Sequence, residues 1–373
     1  DVVSHGLFAA LSVLVVACPC AVGLATPVAL AAGLNKVARN HILIRDTSAL
    51  EQMRNVDVVV FDKTGTLTEG HPTVIGWLWA QGQEEHYKDV LLAAESTSDH
   101  PLAEAIVTAL EGEEQVIPAH LDGFENITGK GVRVAYQGAE YWVGSHKLLK
   151  DYQANLSDIL ADMLTQYESD GNSIVYFGRE NDLLAVIAIK DQLRVTSMEA
   201  IRELRIQDIE ICMLTGDGER TASSVAGSLG IMRFVADAMP DDKEDFIHKL
   251  QLQGKTVAMV GDGVNDAQAL SCADVSIAMG KGTDTLMDTA MITLRTSDLL
   301  LLPKVFRLSR QTVSLMYRNL FWAFIYNTVG IFVAAGVLYP VYDILLSPAL
   351  AGAAMALSCV SVALSSLRLS SRF

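Results

Sequence analysis

Three long stretches of the chain contain no aspartate, glutamate, lysine or arginine: Gly6–Asn35, Asn319–Tyr342 and Ile344–Leu367. Each exceeds the roughly 20 residues that a helix needs to cross the hydrocarbon core of a bilayer. The first stretch does not have the form of a cleaved signal peptide, because no basic residue precedes it and a long folded segment follows it. We therefore predict three membrane-spanning helices. The alternative is three helices buried in a protein core.

Basic residues flank these stretches on one side only. They are Lys36, Arg39 and Arg45 after the first, Lys304, Arg307, Arg310 and Arg318 before the second, and Arg368 and Arg372 after the third. Because basic residues favour the cytoplasmic side of a membrane, residues 36–303 and the C-terminus are predicted to be cytoplasmic, with the loop near residue 340 outside. We expect an integral protein in contact with lipid, in a bacterial plasma membrane.

The net charge and the cysteine content limit which kinds of protein this chain can be. The chain has 28 Lys and Arg against 44 Asp and Glu, a net charge of −16, which argues against a nucleic-acid partner. Three of the five cysteines lie in the apolar stretches, so no disulfide framework is expected. Because the chain opens at Asp1 directly before a span, we expect it to be the C-terminal part of a longer protein.

Three apolar, β-prone segments in the cytoplasmic part end at polar residues. The segments are Val56–Phe61, Ile209–Leu214 and Thr256–Val260. The residues that follow them are Asp62, then Thr215, Gly216 and Asp217, then Asp262, Asn265 and Asp266. Ligands of an open parallel sheet bind outside the carboxyl ends of its strands. An α/β domain with one polar crevice is therefore predicted.

This set of side chains suits phosphoryl transfer to a carboxylate. Asp62 could attack phosphorus and form an acyl phosphate. Asp262 could share a Mg²⁺ ion with it, while Lys243 and Thr215 stabilise the charge that develops on the phosphoryl oxygens. The alternative for each residue is an ordinary strand-end carboxylate or helix cap.

Four motifs resemble those of P-type ATPases, in the same order. Asp62-Lys63-Thr64-Gly65-Thr66-Leu67-Thr68 is similar to the phosphorylation signature, and the others are Thr215-Gly216-Asp217, Pro240-Asp241-Asp242-Lys243 and Gly261-Asp262-Gly263-Val264-Asn265-Asp266. The resemblance implies catalytic roles for Lys63, Gly216, Asp217, Asn265 and Asp266, and adds Thr64 to the magnesium site. Asp191 and Arg194 resemble the motif at which the chain re-enters the phosphorylation domain.

The same resemblance implies the fold. It is an α/β haloacid-dehalogenase-like phosphorylation domain with an inserted α+β nucleotide-binding domain, plus three transmembrane α-helices. The expected divisions are 1–55 for the first span and stalk, 56–70 and 189–303 for the phosphorylation domain, 71–188 for the insert, and 304–373 for the second stalk and the last two spans.

The insert resembles the heavy-metal branch of the family. Ser98-Asp99-His100-Pro101-Leu102 is similar to its Ser-Glu-His-Pro-Leu motif, and Gly129-Lys130-Gly131 to its Gly-x-Gly. The resemblance implies that Glu95, His100, Gly129 and Gly131 bind ATP. Taken alone, His100 would be a surface or capping residue.

Cys18-Pro19-Cys20 lies inside the first apolar stretch and resembles the site of the metal-transporting branch. Tyr326, Asn327 and Met355 resemble the pattern of copper-transporting members. Thiolate and thioether ligands without a carboxylate favour copper(I) over zinc, cadmium or cobalt, and silver(I) shares that chemistry.

Two departures from the family pattern have consequences. Copper members usually read Met-x-x-Ser-Ser, but here Cys359 follows Met355 by four residues, on the same helix face. Cys359 is a candidate third thiol, or a small residue that packs between helices. No Thr-Gly-Glu actuator motif occurs in the chain, so by itself it is expected to become phosphorylated without completing a transport cycle.

The sequence thus predicts an ATP-driven exporter of cytoplasmic copper(I) that uses Mg²⁺ and an aspartyl phosphate, with a cytoplasmic copper chaperone as a further partner. A zinc or cadmium exporter is the alternative within the class. A membrane-anchored phosphatase of the haloacid-dehalogenase type and a non-catalytic copper-binding membrane module are the alternatives outside it.

Overall fold

The computed structural model describes residues 2–80, 84–98, 100–113, 115–154, 158–262, 266–280, 290–342 and 345–371. The chain divides into two compact units. Val56–Leu300 form one, here called the α/β unit, and Asp1–Asn55 together with Leu301–Phe373 form the other, the helical unit.

The α/β unit contains both helices and strands, and the helical unit consists mainly of helices. The helices of the described residues are α1 Val2–Val16, α2 Cys20–Arg39, α3 Thr47–Gln52, α4 Glu84–Glu95, α5 Pro101–Glu111, α6 His146–Asp151, α7 Asp158–Ser169, α8 Ser197–Ile206, α9 Glu219–Leu229, α10 Pro240–Leu252, α11 Ala267–Cys272, α12 Leu301–Ala334, α13 Tyr339–Tyr342 and α14 Pro348–Ser371. The strands are β1 Ile42–Ile44, β2 Val58–Asp62, β3 Thr73–Trp79, β4 Gly123–Ile127, β5 Gly131–Tyr136, β6 Ala139–Gly144, β7 Ser173–Arg179, β8 Asp182–Lys190, β9 Glu210–Leu214, β10 Arg233–Val235, β11 Val257–Gly261, β12 Val275–Met279 and β13 Ile292–Leu294.

A parallel sheet forms the first layer of the α/β unit, in the order β13-β12-β11-β2-β9-β10. Every residue of β2, β11 and β12 is buried, as expected for parallel strands covered on both faces. The three strands predicted from the sequence, β11, β2 and β9, lie side by side. Their carboxyl ends therefore meet at one edge, as predicted.

A second, antiparallel sheet carries the inserted segment, in the order β3-β8-β7-β6-β5-β4. One face packs against α4 and α5, where Leu91 and Ile106 meet Phe177. On the other face the indole of Trp142 is fully buried and stacks on Tyr152. The predicted α/β fold with an α+β insertion is confirmed.

In the helical unit, two stretches of the described residues are long and apolar enough to cross a membrane: His5–Arg39 and Pro348–Leu369. The first is interrupted at residues 17–19, where α1 ends and α2 begins. The predicted span Asn319–Tyr342 is not one continuous helix. It begins inside α12, which ends at Ala334, and Gly336 then takes a positive φ of 91° before the short α13.

Candidate functional site

Asp62 is the last residue of β2. It follows Phe61 in that strand and precedes a tight turn. Its strand lies between β9 and β11, and Asp62 itself is beside Leu214 in the register. The side chain is buried, 6% exposed. Gly65 takes a positive φ of 71° in the following turn, a conformation that favours glycine. The strand and its turn thus present one buried carboxylate at the sheet edge.

Lys243 connects two of the carboxylates. Its Nζ lies 2.5 Å from Asp62 Oδ1 and 2.7 Å from Asp266 Oδ1. Burial would lower the pKa of Lys243, but Asp62 and Asp266 outweigh it and raise that pKa, so the ammonium stays charged. Lys243 reaches the edge because it lies in the first turn of α10, whose start is set by Pro240. The structure therefore brings Asp62, Lys243 and Asp266 together, as predicted.

Lys63 lies in a second buried ion pair at the same edge, with Asp217. Thr215 Oγ1 donates a hydrogen bond to Asp217 Oδ2 at 3.1 Å. Burial disfavours ionisation of Asp217, but Lys63 and hydrogen bonds from Ser173 and Thr215 outweigh it and lower its pKa. Gly216, between them, is exposed. The motif 215–217 therefore positions the charge of Lys63.

Sequence reasoning missed Ser173. Its hydroxyl lies 3.0 Å from Lys63 Nζ, although the two residues are 110 positions apart, and it is buried at the start of β7. Thr221 Oγ1 donates to the carbonyl of the neighbouring Asn172 at 2.7 Å. No motif marks Ser173, because its contact depends on how the inserted sheet packs against the parallel sheet.

Around Asp262 and Asp266, the negative charge of the carboxylates exceeds the positive charge of Lys243. Burial, followed by repulsion from Asp62, raises the pKa of each carboxyl to about 7. A divalent cation would relieve that repulsion, and carboxylate oxygens are the ligands that Mg²⁺ prefers. The carboxylates of Asp62 and Asp262 therefore fit a magnesium ion in charge and ligand type. Asn265 lies outside the described residues.

The segment after β8 supports the turn that follows Asp62. Arg194 donates from Nε to the carbonyl of Thr66 at 3.0 Å and from a terminal nitrogen to the carbonyl of Gly65. Asp191 accepts from the amide of Gly70 at 3.1 Å and from the hydroxyl of Thr68 at 2.5 Å. Both residues of the predicted re-entry motif thus hold the backbone of residues 65–70.

The predicted nucleotide residues lie in the inserted segment. Glu95 ends α4, and burial raises its pKa to about 7. His100 caps α5, its Nδ1 accepting from the amide of Leu102 at 3.2 Å. Burial lowers the pKa of His100 by more than the carboxylate of Asp217 raises it, so the pKa lies below its usual value.

Gly129 and Gly131 have positive φ values of 67° and 145°. A side chain on Gly131 would collide with the carbonyl of Val143 on the paired strand β6, and one on Gly129 would collide with Met239. Packing within the α/β unit therefore requires Gly131, while Gly129 is favoured by its positive φ, since the Met239 side chain can move aside.

The predicted metal ligands lie in the helical unit. Pro19 is the N-cap of α2, and the structure joins Cys18 and Cys20 in a disulfide. No disulfide framework was expected from the cysteine content, so this single bond between Cys18 and Cys20 was not predicted. The break in the helix brings their Cα atoms to 5.5 Å, within the usual range for a disulfide.

The two sulfur residues of α14 lie on either side of that break. Met355 is 8% exposed and packs in a cluster with Val16, just before the break. Cys359 packs against a cluster that contains Ala21, just after it. Tyr326 is half-exposed and stacks on Trp322. The Oδ1 atom of Asn327 is buried and has no hydrogen-bond partner among the residues that the structure describes.

Residues 56–274 match the haloacid dehalogenase-like hydrolase family. The chain belongs to that family. It is also 44% identical over 366 residues to the copper-exporting P-type ATPase of Legionella pneumophila subsp. pneumophila, covering 98% of this chain and 50% of the relative. It is 45% identical over 371 residues to the silver exporting P-type ATPase of Salmonella typhimurium, covering 99% of this chain and 44% of the relative.

Solved structures of two ATPases share this fold. A zinc-transporting PIB-type ATPase in its E2.Pi state is 34% identical, with a TM-score of 0.66, and the match covers 95% of this chain and 56% of that one. The catalytic domain of the CPx-ATPase CopB-B is 28% identical, with a TM-score of 0.61, covering 73% of this chain and 97% of that one. The resemblance predicted from the motifs is confirmed, and the chain spans about half the length of the curated relatives.

Proposed function

We propose that this chain supplies the phosphorylation and nucleotide-binding machinery and part of the metal path of an ATP-driven copper(I) exporter. The observation that carries the proposal is the pairing of Lys243 with both Asp62 and Asp266 at the end of the central strand. Similarity to the copper-exporting and silver exporting P-type ATPases supports the same assignment.

In the proposed reaction, a carboxylate oxygen of Asp62 attacks the γ-phosphorus of ATP. A phosphorus–oxygen bond to Asp62 forms, the bond to the bridging oxygen breaks, and ADP leaves with that oxygen and its electron pair. The ammonium of Lys243 pairs with a carboxylate oxygen of Asp62 beforehand and stabilises the charge on the transferred group. Lys63, held by Asp217 and Ser173, adds a second positive charge at the same edge.

Asp62, Asp262 and Thr64 would hold Mg²⁺. When bound, the ion neutralises charge on phosphate and carboxylate oxygens. The nucleotide would lie against Glu95, His100, Gly129 and Gly131.

Copper(I) is proposed as the transported ion because the helices supply sulfur and no carboxylate. Cys18, Cys20 and Met355 offer two thiolates and a thioether near the break between α1 and α2, and Tyr326, Asn327 and Cys359 are further candidates. Soft ligands of this kind suit copper(I) and silver(I). The disulfide must be reduced before it can bind metal, because the thiolate is the ligand.

We further propose that the protein lies in a bacterial plasma membrane with the α/β unit in the cytoplasm, where ATP and a copper chaperone are available. The distribution of basic residues around the apolar stretches supports this orientation.

The test is metal-stimulated ATP hydrolysis by the complete protein that carries this chain, in detergent and lipid. Copper(I) should stimulate hydrolysis in the wild type and in neither Cys18→Ser nor Asp62→Asn. Stimulation by zinc alone would instead support a zinc or cadmium exporter, which the 34% identical zinc-transporting structure makes the second candidate. Metal-independent phosphate release without a stable phosphoenzyme would indicate a phosphatase.

A further inference from the structure

We propose that the α/β unit carries a binding site for a zinc-like divalent cation, formed by Glu244, His248 and Cys272. The three residues offer a carboxylate oxygen, an imidazole nitrogen and a sulfur, all within 4.8 Å of one another. They come from two helices: Glu244 and His248 are one turn apart on α10, and Cys272 ends α11. The site is separate from the Cys18-Pro19-Cys20 segment and from the carboxylates around Asp62.

The distances fit a tetrahedral ion. Glu244 Oε1 lies 3.3 Å from Cys272 Sγ and 3.5 Å from His248 Nε2. Bond lengths of about 2.0–2.3 Å at tetrahedral angles place neighbouring ligands about 3.3–3.6 Å apart. Two edges of the tetrahedron are therefore already at ligand spacing. His248 is half-exposed, so its ring can move to close the third edge.

Gln251 supports the site from outside the ligand set. Its side-chain oxygen lies 3.1 Å from His248 Nδ1, and its side-chain nitrogen donates to the carbonyl of Cys272 at 2.9 Å. When Nδ1 carries the imidazole proton and donates it to Gln251, the lone pair of Nε2 faces Glu244. Outer contacts of this kind orient histidine ligands in known metal sites.

The donor set indicates the class of ion. A thiolate, an imidazole and a carboxylate are the ligand types of zinc, with a fourth position left for water. Binding breaks the S–H bond of Cys272, forms a metal–sulfur bond and releases the proton to solvent. Reduction or oxidation of the protein is not involved.

Such an ion would tie α10 to α11. Glu244 is adjacent to Lys243 on α10, and Asp266 immediately precedes α11. Lys243 and Asp266 form one of the ion pairs at the phosphorylation site, so the ion would link the two segments that carry this pair. Occupancy would favour the arrangement in which Lys243 and Asp266 are paired.

The test uses cobalt(II) as a spectroscopic probe for zinc, in the 373-residue chain carrying Cys18→Ser, Cys20→Ser and Cys359→Ser so that the thiols of the helical unit do not bind it. One equivalent should give a thiolate-to-cobalt absorption band that zinc abolishes. Cys272→Ser should lose the band. His248→Gln and Glu244→Gln should weaken binding about ten-fold or more, and Gln251→Leu roughly 10–100-fold.

His120→Gln is the matched control, because His120 is exposed and outside the cluster. It should leave the cobalt affinity unchanged. Because His248 is exposed, His248→Gln does not disturb the core. Equal melting temperatures of all variants without metal would show that the substitutions leave the fold intact. Absence of the band in the starting protein, or its persistence in Cys272→Ser, would overturn the proposal. In the latter case one of the other cysteines is the ligand.

Discussion

The carboxylate of Asp262 occupies the space beside Gly65 that any side chain at that position would need. A Cβ atom on Gly65 would overlap it, and Gly65 also has a positive φ of 71°. The turn after Asp62 and the carboxylate after β11 are therefore fitted to each other. This contact explains physically why the phosphorylation signature contains a glycine at this position.

Gly65→Ala should displace Asp262 and abolish phosphorylation of Asp62. The measurement is phosphoenzyme formed from radiolabelled ATP by the complete protein. Gly254→Ala is the matched control, since Gly254 has a φ of +78° with open space around it. Gly254→Ala should lower the folding stability by the backbone strain alone, about 1–2 kcal/mol, and the variant should retain phosphorylation. Equal losses in both variants would show that strain, and not the contact with Asp262, is responsible.

Lys243→Met should both destabilise the α/β unit and prevent phosphorylation. It leaves the carboxylates of Asp62 and Asp266 buried without their shared cation, and breaking a buried pair in this way costs about 3–5 kcal/mol. Thermal unfolding can be followed by tryptophan fluorescence, since Trp77, Trp79 and Trp142 all lie in this unit.

Lys249→Met is the control for this effect, because Lys249 is exposed on the same helix. It should change neither stability nor phosphorylation. Adding Asp266→Asn to Lys243→Met should recover part of the stability and none of the phosphorylation. A double variant no more stable than Lys243→Met would mean that charge repulsion is not the cause.

The strand-end residues could be predicted from the sequence because their positions follow from local pattern. Apolar β-prone segments predict buried parallel strands, and parallel strands place their carboxyl ends together, so Asp62 and Asp266 had to converge. Lys243 was predicted from the motif Pro240-Asp241-Asp242-Lys243, whose resemblance implies its place at the same site. These inferences need no knowledge of how distant segments pack.

Features that depend on packing between distant segments could not be predicted. Ser173 reaches Lys63 only because the inserted sheet docks beside the parallel sheet. Cys272 meets Glu244 only because α11 packs against α10. The end of α12 at Ala334 was also missed, since lack of charge indicates an apolar environment but does not show where a helix stops.

Glu95→Gln should stabilise the α/β unit at high pH and not at low pH. Burial raises the pKa of Glu95 from 4.5 to about 7, so the folded state holds a proton that the unfolded state has lost. Stability therefore falls as the pH rises from about 4.5 to 7, and the full cost, about 3 kcal/mol, persists above pH 7. Glutamine removes this cost.

The measurement is the melting temperature at pH 5 and pH 8. The variant should melt several degrees higher than the wild type at pH 8, with a much smaller difference at pH 5. Glu111→Gln, an exposed change at the end of α5, should not alter the profile. If Glu95→Gln keeps the wild-type pH dependence, another group is responsible.

The positions of Met355 and Cys359 on either side of the helix break lead to the last prediction. In the reduced chain, Met355→Leu should weaken copper(I) binding while preserving packing, because leucine and methionine have similar volumes.

Cys359→Ser should weaken copper(I) binding about ten-fold if the thiol of Cys359 is a ligand, since sulfur suits copper(I) better than oxygen. Affinities are measured by competition with a copper(I) chelator. Ser358→Ala removes a buried hydroxyl that has no hydrogen-bond partner in the described part of the chain, and it should have no effect. Cys18→Ser should nearly abolish binding. Unchanged stoichiometry and affinity in Cys359→Ser would identify Cys359 as a small residue that packs between helices.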